Sequence, residues 1–306
     1  MTKVLIATEK PFAPEAVKEI KAVLDTACFE FSFFEKYNGQ DEFIGAVRDA
    51  DALIIRSDKV TPEVIAAAPQ LKIVVRAGAG YDNVDLKAAT ANDVVVMNTP
   101  GQNSNAVAEL AIGMMIYQAR NHFNGSSGTE LKGKKLGIHA YGNVGKYVAN
   151  IAKGFGMEVY AYDPFVRKED IESDGVKVKD SAEDLYANCD YISLHIPANE
   201  QTKQSINYAL LSKMKKGATL VNTARKEVIN EDELIRIFEE NESFKYLSDI
   251  APGNKDVLTE KFNTRCFFTP KKMGAQTAEA NINAGIAAAK QIIAFINDGD
   301  TTFKVN

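Results

Sequence analysis

Apolar and polar positions follow one another along this chain in two distinct rhythms. Short runs rich in apolar and β-branched residues, at 3–8, 29–34, 52–55, 72–76 and 94–97, have the length and composition of buried strands. Between them, the stretches 13–24, 40–48 and 62–68 place apolar residues three and four apart, the spacing of a helix with one covered face. Pro62 directly after Thr61 suits a first helical turn with a threonine cap. Continuous apolar strands alternating with helices predict a parallel sheet covered on both faces.

A long helix at about 103–120 comes next, followed by the glycine- and serine-bearing stretch 121–130. A second alternation then starts at once, with strands predicted at 135–139, 158–162, 191–195, 218–222 and 246–248. Helices are predicted at 144–155, 182–186, 208–214, 231–239 and, last, 277–296. Two α/β units in succession are the simplest reading, and 306 residues suit two domains. The pattern leaves open which unit the last helix joins.

Composition narrows the field without naming a function. Hydrophobic residues make up 45% and charged residues 25%, ordinary for a soluble globular chain. A net charge of -5 gives no broad electrostatic case for nucleic acid or an anionic membrane as partner. No run approaches the ~18 apolar residues of a spanning helix, and the opening MTKVLIATEK lacks the apolar stretch of a signal peptide, so a cytoplasmic location is expected. Cys28, Cys189 and Cys266 show no metal-ligand spacing and read as buried reduced thiols, with no metal expected.

The stretch LGIHAYGNVGKYVANIAKGFGMEVYAYD is the most informative local segment. A strand runs into the turn Ala140-Tyr141-Gly142-Asn143-Val144-Gly145, a helix follows, and the next strand ends at Asp163. A dinucleotide site needs this order. Gly142 lets main chain approach a pyrophosphate, Gly145 lets helix and strand pack closely, and the helix N-terminus offers unpaired N–H groups. An acid at Asp163 accepts bonds from ribose hydroxyls and repels a 2′-phosphate, which favours NAD over NADP. Ala140 stands where the fingerprint has its first glycine.

With four further segments the chain resembles the D-2-hydroxyacid dehydrogenases over nearly its whole length. They are RAGAGYDNVD at 76–85, SLHIP at 193–197, LVNTARKEVINEDEL at 220–234 and TPKKMGAQTAEA at 269–280. The resemblance implies two doubly wound parallel-sheet α/β domains. A Rossmann NAD-binding domain (98–279) would be inserted in a flavodoxin-like substrate domain (1–97 plus 280–306). It implies NAD contacts by Tyr141 to Gly145, Asp163, His195, Ile196, Pro197, Thr223, Ala224 and Asp249, the last beside the nicotinamide carboxamide. Ala77, Gly78, Ala79 and Gly80 would cradle a substrate carboxylate with their amides. Arg225 would fork onto that carboxylate and the 2-oxygen. Arg56 and Ser57, at a strand's carboxyl end, would hold a phosphate as in phosphoglycerate dehydrogenases, with Asn103 a further substrate contact.

Two departures bear on the chemistry. Most relatives have a histidine after Thr-Pro as proton acceptor and a glutamate five residues beyond the Leu-Asp-Val acid. Here Asn254 stands at the glutamate's place, and Lys271 and Lys272 follow Thr269-Pro270. Counting forward from Pro270 selects Lys271 as the base; counting back from Gly274 selects Lys272. Lys271 is favoured because the family's base directly follows the proline, and a short phosphoglycerate dehydrogenase subtype resembles this in using lysine. Burial and neighbouring positive charge are expected to make such a lysine a proton acceptor.

The implied activity is NAD-dependent oxidation of D-3-phosphoglycerate to 3-phosphohydroxypyruvate, the entry to serine biosynthesis. Its rivals are another 2-hydroxy acid (erythronate 4-phosphate, glyoxylate or hydroxypyruvate, D-lactate) and a non-catalytic NAD-sensing interaction protein. The missing histidine and glutamate favour the last; Arg225, Asp249 and the lysine pair oppose it. A homodimer is expected, with the connection from Arg120 to Gly133 a shortened version of the family's dimer arm. With the chain ending at Asn306, a C-terminal regulatory domain is not expected.

Overall fold

A computed structural model describes all residues 1–306. The chain divides into two compact units, Met1–Asn103 with Gln276–Asn306, and Ser104–Ala275.

In the first unit, β1 (Lys3–Thr8), β2 (Glu30–Glu35), β3 (Ala52–Ile55), β4 (Ile73–Arg76) and β5 (Val95–Asn98) form a parallel sheet ordered β2-β1-β3-β4-β5. This is the flavodoxin-like order. Successive strand residues point to opposite faces, so the apolar runs feed two cores. Leu5, Ala7, Leu53, Ile55, Val74 and Val96 pack on one face with Phe43, Val64, Ile65 and Ala89. Val4, Ile6, Ala52, Ile54, Ile73, Val75 and Met97 pack on the other with Ile20, Leu24, Ala284, Ala288 and Ile292. The last helix, Ala278–Asp298, therefore belongs to this unit, lying against helix Pro14–Thr26. Beyond it, Val305 donates its N–H to the Val96 carbonyl (2.9 Å) and Asn306 Oδ1 accepts from the Val96 amide (2.8 Å), tying the tail along β5.

The second unit holds β6 (Lys135–His139), β7 (Glu158–Tyr162), β8 (Lys177–Val178), β9 (Tyr191–Leu194), β10 (Thr219–Asn222), β11 (Lys245–Ser248) and β12 (Cys266–Phe268). They form a parallel sheet ordered β12-β11-β10-β9-β6-β7-β8. The chain winds outward from β6 in one direction and resumes at β9 in the other. The reversal between β6 and β9 is the switch point where such sheets bind dinucleotides.

The sequence pattern misses several short pieces: β8, β12 and the helices Leu86–Ala91, Lys168–Ser173 and Lys255–Phe262. Two or three residues carry no period, and one or two helical turns carry little more. Two smaller expectations are corrected. Thr61 occupies the N-cap position with extended backbone, but its hydroxyl makes no cap bond and instead lies 3.4 Å from Gln40 Nε2. Cys28 is exposed, because it sits at φ 54 in the turn that leaves helix Pro14–Thr26; only Cys189 and Cys266 are buried. No helix is long and apolar enough to cross a membrane.

Candidate active site

The candidate site residues of the second unit all follow the carboxyl ends of its strands. After β6 the chain passes through Ala140, at φ 78, whose N–H bonds the Tyr162 carbonyl (2.9 Å). An alanine in the left-handed region costs on the order of 1 kcal/mol that glycine would not. The Tyr141 side chain is buried and bonds Asp174 (3.1 Å), so Tyr141 lines the turn with its main chain. Helix Asn143–Gly154 then begins with Gly142 as N-cap and no side chain capping its first amides.

The two glycines do different work. A Cβ on Gly142 would meet nothing within 4 Å, whereas one on Gly145 would lie 2.6 Å from the Ala140 carbonyl oxygen and 3.1 Å from Ile138 Cγ2. Gly145 thus seats the helix on β6, and Gly142 leaves exposed amides open, beside exposed Asn143 and half-buried Val144. Open first-turn amides at a helix N-terminus fit a pyrophosphate. Asp163 clamps this turn from the side. Its Oδ2 accepts from the Tyr141 amide (2.7 Å), and its Oδ1 from those of Phe165 (2.8 Å) and Val166 (3.2 Å). A carboxylate has about four acceptor positions, so Asp163 retains one for a ribose hydroxyl.

His195 follows β9 between Ser193 Oγ (2.9 Å from Nε2) and Thr223 Oγ1 (3.4 Å from Nδ1). Burial, with His139 nearby, pushes its pKa down to about 3; burial pushes His139 down to about 4, its Nδ1 lying 3.1 Å from Tyr186 Oη. Both are neutral and only weakly basic at ordinary pH, and neither lies in the 269–274 turn where the resemblance puts the base. Ile196 is buried and Pro197 exposed; Thr223 is buried and Ala224 half-buried.

Arg225 follows β10 in a loop built by Asn222, a buried residue that the sequence reading did not single out. Asn222 Oδ1 accepts from the Ala224 amide (3.0 Å) and its Nδ2 donates to the Arg225 carbonyl (2.9 Å). The half-buried guanidinium makes a single protein hydrogen bond, from Nη1 to the Ala224 carbonyl (3.0 Å), which leaves its other donors for an anion. After β11, Asp249 is buried and accepts from Thr269 Oγ1 (3.0 Å), the Met273 amide (2.7 Å) and the Gly274 amide (2.8 Å). Its oxygens organise the turn after β12, a use the expected nicotinamide contact did not include. Lys271 and Lys272 at the tip of that turn are exposed, contrary to the expected burial, because the turn is held by its main chain.

The first unit offers an anion loop after β4. The Ala77 amide bonds Ile55 O and the Gly78 amide bonds Arg76 O (2.8 Å each), while the amides of Ala79 and Gly80 have no protein acceptor. Asn98 Nδ2 holds the Ala79 carbonyl (2.6 Å), fixing the loop. Arg56 is held firmly: Nη1 donates to the carbonyls of Lys10 and Pro11 (3.0 Å each), Nη2 to Asn281 Oδ1 (2.5 Å), and the group lies over the Phe12 ring at 5.2 Å. Its Nε–H and one Nη2–H remain available. Ser57 is exposed and Asn103 half-buried. Asp58 next to them, also missed, is buried and accepts from the Glu9 amide (2.7 Å) and Tyr37 Oη (2.6 Å).

Comparison with known proteins decides the family. Residues 106–270 match the D-isomer specific 2-hydroxyacid dehydrogenase, NAD binding domain. The chain belongs to the D-isomer specific 2-hydroxyacid dehydrogenase family. Its second unit is that family's NAD-binding domain, and NAD is its cofactor. The chain is 48% identical to an NAD⁺-bound 3-phosphoglycerate dehydrogenase of Entamoeba histolytica, with a TM-score of 0.89 over 100% of this chain and 98% of that one. It is 36% identical to D-3-phosphoglycerate dehydrogenase of Methanocaldococcus jannaschii over 83% of this chain but 51% of the relative, so it spans about half that protein's length. It is 35% identical to hydroxypyruvate reductase of Thermotoga maritima over 83% of this chain and 87% of that one.

Two outcomes follow from this geometry. Gly142→Ala should fold with unchanged thermal stability yet weaken NADH binding, measured by fluorescence titration, by about tenfold, since its methyl enters the open space at the amides. Gly145→Ala should instead lower Tm, because the helix must move off β6. The second outcome concerns acid. His139 stays neutral in the fold, while the unfolded chain takes up a proton below about pH 6.5. Unfolding free energy should hold above that pH and fall toward about pH 4, by roughly 1.4 kcal/mol per pH unit from this group. Denaturant melts across this window should be flatter for His139→Phe; an equal slope would assign the acid sensitivity elsewhere.

Proposed function

We propose that this chain oxidises D-3-phosphoglycerate to 3-phosphohydroxypyruvate with NAD. The observation that carries the reading is the 48% identity to the Entamoeba 3-phosphoglycerate dehydrogenase over essentially both whole chains. NAD supplies the hydride acceptor. Arg225 pairs with the substrate carboxylate and 2-oxygen, and its unspent donors suit that role. The Ala79 and Gly80 amides, without a protein acceptor, suit a carboxylate as well. Arg56 forks its two remaining donors onto the phosphate beside the Ser57 hydroxyl. Asp163 excludes a 2′-phosphate and so keeps the site for NAD. The hydroxyl proton would pass to a lysine, Lys271 in preference to Lys272, with bound NAD as the hydride acceptor. The products are the 2-oxo acid, NADH and a protonated lysine.

Reduction of hydroxypyruvate is the second reading. It is favoured by the likeness to the Thermotoga hydroxypyruvate reductase, 87% of which this chain covers. The three hydrogen bonds that already occupy Arg56 also favour an unphosphorylated substrate. A panel of 2-hydroxy acids followed by NADH formation, and 2-oxo acids followed by NADH consumption, separates the two. Under the first reading Arg56→Ala raises KM for 3-phosphoglycerate about tenfold or more, a charge-assisted contact being worth ~1.5–3 kcal/mol, and leaves hydroxypyruvate turnover nearly unchanged. Equal losses on both substrates would make Arg56 a fixture of the 9–13 loop and nothing more.

The lysine base has its own test. Lys271→Ala should lower kcat by ~10²–10⁴-fold while NADH still binds, and Lys272→Ala should do so less. Should neither substitution slow turnover by even ~10-fold, another group takes the proton.

A further inference from the structure

Asp249 lies at the carboxyl end of β11, and every hydrogen bond its carboxylate makes runs to the turn that leaves the neighbouring β12. Thr269 Oγ1 at the start of the turn and the Met273 amide at its end both donate to Oδ1, at 3.0 and 2.7 Å. The Gly274 amide donates to Oδ2 at 2.8 Å. Only Pro270, Lys271 and Lys272 lie between these anchors. The carboxylate is itself fixed, since Asp249 is buried and its own N–H bonds the Asn222 carbonyl at 2.9 Å. Gly274 has to be a glycine for its amide to reach that far, because a Cβ there would stand 2.9 Å from Oδ2 and 3.1 Å from Val107.

We infer that Asp249 is the positioning residue of the lysine turn. It rests on the lysine reading of the reaction given above. One carboxylate grips both ends of a short turn, so the path of the three residues between is set by where that carboxylate sits. Three of its roughly four acceptor positions are spent on this grip, leaving at most one for a cofactor amide. A reacting atom misplaced by about 1 Å can cost on the order of 10²-fold in rate, so loosening this grip acts on turnover through the lysines. The exposed lysine side chains are consistent with a turn aimed by its main chain and not by packing of its tip.

Asp249→Asn tests this in the full chain. An amide keeps the shape of the side chain but presents one acceptor oxygen where the carboxylate presents two, so either the Gly274 bond or the pair of bonds from Thr269 and Met273 is lost and the grip loosens. The expected result is a kcat lower by about 10–100-fold with KM for NAD and NADH affinity changed less than about threefold. Amide hydrogen exchange at Met273 or Gly274 should quicken without any ligand present. Thr269→Val, which removes one of the three bonds at nearly constant shape, should move the same quantities less, and it replaces Asp249→Asn if that variant does not fold. The decisive comparison is the double variant Asp249→Asn with Lys271→Ala. If Asp249 acts through the lysine, the double is slower than the worse single by no more than about threefold. Losses that multiply, or a loss confined to KM for NAD, overturn the positioning role while leaving the lysine reading standing. Lysine substitutions that are silent in kcat overturn both.

Discussion

A parallel sheet leaves main-chain groups unpaired wherever its strands end, and a buried N–H without a partner costs about as much as a lost hydrogen bond. This chain meets that constraint repeatedly with a carboxylate on the neighbouring strand. Asp58, after β3, accepts the Glu9 amide just beyond β1. Asp163, after β7, accepts the Tyr141 amide just beyond β6. Asp249, after β11, accepts the Met273 and Gly274 amides beyond β12. At the opposite edges Asp51 and Asp190 do the same for the amides that open β1 and β6. Charge-assisted bonds of this kind are roughly twice as strong as neutral ones, so each acid fixes the loop next to it, not only the one that follows it in sequence.

Those fixed loops are the ones that carry the proposed chemistry. The turn held by Asp163 leads into the helix whose amides suit a pyrophosphate, the turn held by Asp249 carries the lysine pair, and Asp58 braces the Arg56 loop. Between the first two in the second unit stands Asn222, whose side chain shapes the Arg225 loop and whose carbonyl takes the Asp249 amide. The groups proposed to act, Arg225 and the two lysines, stay half-buried or exposed. Rigid support beneath adaptable tips is what a site that must admit and release a substrate requires.

The sheets were largely legible in the sequence because most strands are runs of apolar residues feeding two cores, a signal contained within five or six positions. The helix at the nucleotide turn was legible for the same local reason. Spacing could not show that Asp249 reaches residues 24 and 25 positions onward, or that Arg56 meets Asn281 across 225 positions. Nor could it choose between Lys271 and Lys272. The turn is anchored on both sides, at Thr269 and at Met273 and Gly274, so counting from either anchor is equally sound and the additional residue is absorbed between them. Burial of the lysines was inferred from what a base needs; the fold instead leaves both exposed on a turn held by Asp249, mostly through its main chain.

Ala140 shows how the same support tolerates a departure. At φ 78 an alanine pays a steric cost that the fingerprint's glycine avoids, and such a conformation persists only where its surroundings over-determine it. They do so here from two sides. The Ala140 amide is bonded to Tyr162 at the end of β7, and the next amide, of Tyr141, is bonded to Asp163. Two hydrogen bonds to one neighbouring strand, one of them charge-assisted, outweigh a penalty on the order of 1 kcal/mol. The alanine methyl is also partly recovered as packing, since Ala140 lies against the apolar core below β9 and β10. The residue that reads as a defect in the nucleotide fingerprint is therefore held in place by the end of β7, through the Tyr162 carbonyl and the Asp163 carboxylate.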